Sequence, residues 1–86
     1  MREVNGSVVE VDGVFAQVRT QFGNVTIECD DWRIADNGGL KVGDWISALG
    51  LHRYPRLENG RIIFYIGEDT SVWVNKKHLP IRPEGS

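Results

Sequence analysis

The stretch that most constrains this chain is residues 40–66, whose pattern is that of paired strands in a small β-barrel. Lys41-Val42-Gly43-Asp44 reads as a tight entry turn. Glycine reaches φ > 0 at little cost, and an Asp carboxylate accepts from nearby backbone N–H groups. After the turn the apolar residues alternate. Ile46 and Ala48 share one face, and Trp45, Ser47 and Leu49 share the other. That period of two marks a strand with one buried side. Asn59-Gly60 signals a second turn, and residues 61–66 a second strand. Between them His52-Arg53-Tyr54-Pro55-Arg56 reads as a loop that crowds cations around an aromatic ring.

The rest of the chain fits the same architecture. Ser7-Val8-Val9-Glu10-Val11 is rich in β-branched residues and predicts a strand. Asp12-Gly13 predicts a type I′ hairpin turn into residues 14–20, with Val14, Ala16 and Val18 facing the core. Gly23-Asn24 predicts a further turn, and residues 25–29 a third strand with Val25, Ile27 and Cys29 inward. The alternation breaks at Asp30. Asp30 or Asp31 caps a short helix through Trp32-Arg33-Ile34-Ala35, which ends at Asn37-Gly38-Gly39 and plugs the barrel with Trp32 and Ala35 or Ile34. Residues 70–75 predict a short last strand, and 83–86 an unstructured tail. Three strands, a short helix, then two or three strands is the order of an OB-like barrel, so the expectation is a single all-β domain over residues 1–86 with five to six strands. An SH3-like barrel is the alternative.

Composition narrows the function. The chain has 86 residues and a formal net charge of −2. Lys and Arg number four against eight Asp and Glu up to Asp44, and six against four beyond it, giving −4 and then +2. That balance excludes a strongly basic protein and leaves room for a local basic patch. Cys29 is the only cysteine, so no intrachain disulfide forms, which fits a cytoplasmic protein. No apolar run reaches the roughly 18–20 residues of a membrane span, and no leader pattern opens the chain.

Residues 40–74 resemble the second half of OB-fold single-strand-binding proteins, on Lys41, Gly43, Asp44, Ile46, Ala48, Gly50, Asn59 and Gly60. The first half departs from that family, because the Asp12-Gly13 loop is too short to embrace a nucleotide strand. The resemblance implies single-stranded nucleic acid as the partner.

The residues suited to that role are Arg53, Tyr54, Arg56 and Arg61 around the central loop, Phe15 and Arg19 on the outer face of the second strand, and Lys76 and Lys77. Cations pair with phosphates and aromatic rings stack on bases. A second reading rests on Trp45, Ile63, Tyr65 and Trp73, which lie out of phase with the core residues. An outward aromatic face suits a protein partner or a homo-oligomer. Catalysis is not expected. His52 and His78 lack carboxylate orienters, and Cys29 beside Asp30 and Asp31 predicts a raised thiol pKa. No Cys/His spacing fits a metal, and no glycine motif cradles a cofactor phosphate.

Overall fold

The computed structural model of the chain describes residues 3–58 and 60–79, and at 53–58 and 61 the backbone alone. The fold is all-β and barrel-like, with one short helix between the third and fourth strands, as expected. The strands are β1 (Glu3–Asp12), β2 (Phe15–Thr20), β3 (Gly23–Glu28), β4 (Trp45–Leu49), β5 (His52–Glu58), β6 (Arg61–Tyr65), β7 (Ser71–Val74) and β8 (Lys77–Leu79). Helix α1 (Trp32–Asp36) interrupts them. Eight strands among the described residues exceed the five to six expected.

One sheet joins them in the order β5-β6-β3-β2-β1-β4-β7-β8. Neighbours pair antiparallel except β3 and β6, which run parallel with Ile27 opposite Phe64. Chain connectivity forces this sheet to curl. On a flat sheet β5 would lie five spacings from β4, about 24 Å away at the usual strand separation. The three chain steps from Leu49 to His52 reach at most about 11 Å. The sheet therefore bends until β4 and β5 meet at Gly50, where φ is +84°.

Two devices in β1 make the bend. Beyond Ser7 the strand pairs with β2, while residues 3–7 pair with β4. A bulge between Val8 and Glu10 adds local twist. At the crossing sits Gly6, where an added Cβ would collide with the Arg19 carbonyl and come within 2.9 Å of Val18 Cγ1. The core lies inside the curl: Val8, Val18, Ile27, Ile46, Ala48 and Val72 are all buried. The inward positions of Val18, Ile27, Ile46 and Ala48 match the sequence reading.

Several local expectations are corrected. Asp12 pairs with Phe15, so the first turn is Gly13-Val14, with φ > 0 at Gly13 alone. That is the φ pattern of a type II′ turn rather than I′, and it leaves Val14 exposed. Thr20 pairs with Gly23, so the second turn is Gln21-Phe22. Its geometry is held by Thr20 Oγ1, which donates to the Gly23 carbonyl and accepts from the Phe22 N–H. Residues 52–56 form strand rather than loop, because β5 pairs with β6 around a register shift between Arg53 and Leu57. A hairpin of β7 and β8 follows where only one strand was expected.

Helix α1 begins as predicted, with the Asp31 carboxylate accepting from the Arg33 N–H. Its buried face differs. Trp32 and Ala35 are exposed, while Arg33 and Ile34 are buried. Ile34 joins the apolar core. Arg33 staples the helix to the β6–β7 connection. Its Nε and Nη2 donate to the two Asp31 carboxylate oxygens, each at 3.0 Å. Its Nη1 and Nη2 donate to the carbonyls of Thr70, at 2.6 Å, and Gly67, at 3.0 Å. The Thr70 hydroxyl continues the network to the Gly50 carbonyl. A buried cation is tolerated because each guanidinium nitrogen has an oxygen partner.

Candidate functional site

The face of the sheet turned away from the core carries the polar and aromatic residues out of phase with Ile46, Ala48 and Val72. Register places them in rows. Arg19 on β2 lies opposite Ser7 on β1, and Ser7 lies opposite Trp45 on β4. Ser47 lies opposite Trp73 on β7, and Trp73 opposite His78 on β8. Trp45 and Trp73 are therefore diagonal neighbours, about 7–8 Å apart in backbone terms. Arg19 is two strand spacings, about 10 Å, from Trp45.

The hairpin between β7 and β8 is fixed beside Trp45 by side-chain chemistry. Asn75 exchanges hydrogen bonds with the Trp45 backbone: its N–H donates to the Trp45 carbonyl, and its Oδ1 accepts from the Trp45 N–H, both at 2.8 Å. Its Nδ2 donates to Asp44 Oδ1 at 3.1 Å. The other Asp44 oxygen accepts from the Lys41 N–H at 2.9 Å, closing the predicted entry turn. The turn residues Asn75 and Lys76 both have positive φ, at 50° and 72°. These values give a type I′ turn without glycine, and they set Lys76 next to Trp45 and Trp73.

Trp45 separates two depressions. On one side it joins Arg19, Phe22, Ser7 and Asn5 around a groove of about 630 Å³. On the other it lines a cleft of about 340 Å³ with Ser47, Trp73 and Lys76. Phe22 is 90% exposed and Trp45 47%. Trp73 is half-buried and packs against His78 with ring centroids 4.8 Å apart.

Four of the residues singled out by sequence thus share one face, Arg19 on one side of Trp45 and Trp73 with Lys76 on the other, Arg19 and Lys76 being from the nucleic-acid set and Trp45 and Trp73 from the protein-contact set. Others do not. Lys77 turns to the other side and donates to Asn37 Oδ1 at the end of α1 at 2.9 Å. Phe15 lies on a separate row with Glu28, Tyr65 and His52, in which His52 and Tyr65 stack at 5.2 Å. Ile63 faces outward by register but is only 2% exposed, and its pairing partner Thr26 is buried with it. Burial within the chain removes Ile63 from any contact surface. The side chains of Arg53, Tyr54, Arg56 and Arg61 lie outside the described residues.

Sequence reasoning missed Phe22, Ser47 and Asn75. Phe22 stood next to a glycine taken as the turn itself, and Asn75-Lys76 lacks the glycine that marks most two-residue hairpins.

Burial, then the charges of Asp31 and Glu28, push the Cys29 thiol up to about 12, so it is neutral at pH 7. No group of three or more metal-ligating side chains occurs among the described residues. Among them, too, no helix is long and apolar enough to cross a membrane. No protein-family model, curated protein or solved structure matches the chain.

Proposed function

We propose that this protein is a non-catalytic binding module that engages single-stranded nucleic acid on the outer face of β1, β4 and β7. The observation that carries the reading is the convergence of two indoles, Trp45 and Trp73, with two cations, Arg19 and Lys76. Aromatic platforms hold bases without regard to sequence, at about 1–3 kcal/mol per stack, and flanking cations follow the phosphates. Polar side chains beside the platforms (Ser7, Ser47 and Asn5) suit the sugars and base edges of a strand crossing the face.

The test is fluorescence anisotropy of a labelled oligothymidylate at low and moderate salt. Binding is expected to weaken with salt and to be lost in Trp73→Leu and in Arg19→Ala/Lys76→Gly. An absence of binding at low salt overturns the reading.

A second reading, a protein-contact module, is favoured by one observation. Phe22, at the tip of the β2–β3 hairpin, is 90% exposed beside the groove of about 630 Å³. A contiguous exposed aromatic surface of this kind also marks protein interfaces. Such a complex responds little to salt and depends on Phe22.

A further inference from the structure

We infer that the cleft walled by Trp45 and Trp73 is a pocket for one nucleotide, a base stacked on indole with its phosphate on Lys76. The inference deepens the reading above and rests on it for the choice of nucleotides among planar anions.

Size comes first. At about 340 Å³ the cleft is at the small end of ligand pockets, which run from about 300 to 1,000 Å³. It suits one nucleotide rather than a run of them. Chemistry comes second. Two indoles give apolar stacking walls. Ser47, half-buried between them on β4, supplies one hydroxyl that can donate or accept at a base edge. Lys76 is the only charged residue lining the cleft. Its ammonium favours an anion and disfavours the quaternary ammonium ligands that aromatic clusters otherwise attract.

The third line is the backbone. Lys76 has φ +72°, a conformation in which glycine is the ordinary choice. The turn is nevertheless held there by Asn75, through the Trp45 backbone and the Asp44 carboxylate. The chain thus keeps a strained residue whose only distinctive asset is its ammonium, beside the two indoles. Strain of this sort concentrates at ligand sites. Trp73 is braced by His78, which limits the ring reorientation needed on binding.

A nucleobase with a phosphate can come from a strand or from a free nucleotide, and the experiment separates the two. Two-dimensional ¹H–¹⁵N NMR follows the indole N–H signals of Trp45 and Trp73, with Trp32, which lines neither depression, as internal control. The probes are AMP, adenosine, ribose 5-phosphate and a short oligothymidylate. AMP is expected to shift Trp45 and Trp73 saturably and leave Trp32 in place. Adenosine should bind at least fivefold more weakly, and ribose 5-phosphate should not shift the indoles. Lys76→Gly, which suits the backbone, should bring AMP down to the affinity of adenosine and leave adenosine unchanged. Equal responses to AMP and ribose 5-phosphate, or AMP binding unaltered by Lys76→Gly, overturn the pocket. If the oligonucleotide binds and AMP does not, the pocket falls and the strand reading stands. If AMP binds and the oligonucleotide does not, the pocket stands as a site for free nucleotide and the strand reading falls.

Discussion

Two residues each differ from the same residue in an isolated peptide, one in backbone conformation and one in thiol acidity. Lys76 occupies the left-handed region at φ +72°, where a side chain costs about 1–2 kcal/mol. Lys76→Gly is therefore expected to raise unfolding stability by about 1 kcal/mol in urea denaturation, while weakening ligand binding. A destabilised glycine variant would show that the left-handed backbone at Lys76 carries no such cost. The second residue is Cys29. Its thiol is pushed from the ordinary value of 9.0 up to about 12 in the folded chain, by burial first and then by Asp31 and Glu28. Between those values the unfolded state releases a proton that the folded state keeps. The contribution is complete below pH 9.0 and is lost as pH climbs towards about 12. Cys29→Ala should lose less stability than the unaltered protein between pH 9 and 11 in parallel urea titrations. Identical alkaline slopes would contradict the assigned cause.

Among the elements, α1 is the one whose role least follows from its length. Five residues are too few to be stable alone. Arg33 makes the helix part of the barrel, by joining Asp31 to the carbonyls of Gly67 and Thr70. Arg33→Ala would remove the ion pair of a partly buried carboxylate and the guanidinium donors to the Gly67 and Thr70 carbonyls, at a cost of about 3–5 kcal/mol. Arg33→Lys should recover little of it, because an ammonium cannot span the forked geometry. Urea midpoints of the two variants test both statements. Gly6 matters for β1 in a different way. Any Cβ there meets the Arg19 carbonyl where β1 passes from β2 to β4. Gly6→Ala is expected to destabilise by about 1–3 kcal/mol, the range of overpacked cores.

At the scale of the molecule, charge sets the character of any nucleic-acid complex. The net charge is −2, so long-range attraction is weak and binding depends on local pairs. The two cations placed on the face, Arg19 and Lys76, predict a log–log salt slope of about −1.4, at roughly −0.7 per phosphate for single strands. Anisotropy titrations over a range of salt measure it directly. A markedly steeper slope would mean that further cations engage the strand.

Much of this architecture could be read before any coordinates. Alternation identified β2, β3 and β4 and the inward set Ala16, Val18, Ile27, Ile46 and Ala48, because a half-buried strand imprints its period of two on the residues. Gly43 and Asp44 announced their turn, and Asp31 its helix, through backbone chemistry local to a few residues. The rest depends on partners distant in sequence. Nothing near Arg33 in sequence indicates that Gly67 and Thr70 fold against it. The β7–β8 hairpin lacks a glycine, and its turn is stabilised from Asp44 and Trp45, some 30 residues earlier. The pairing of β3 with β6, and the curl that brings β4 back to β5, are set by the whole sheet. So is the site: Arg19, Trp45, and Trp73 with Lys76 come from three separate stretches. Residue types and spacing determined the strands, their inward faces and the local turns, since these need only nearby atoms. The tertiary structure alone decided which outward residues meet, since that depends on register between strands that local patterns do not encode.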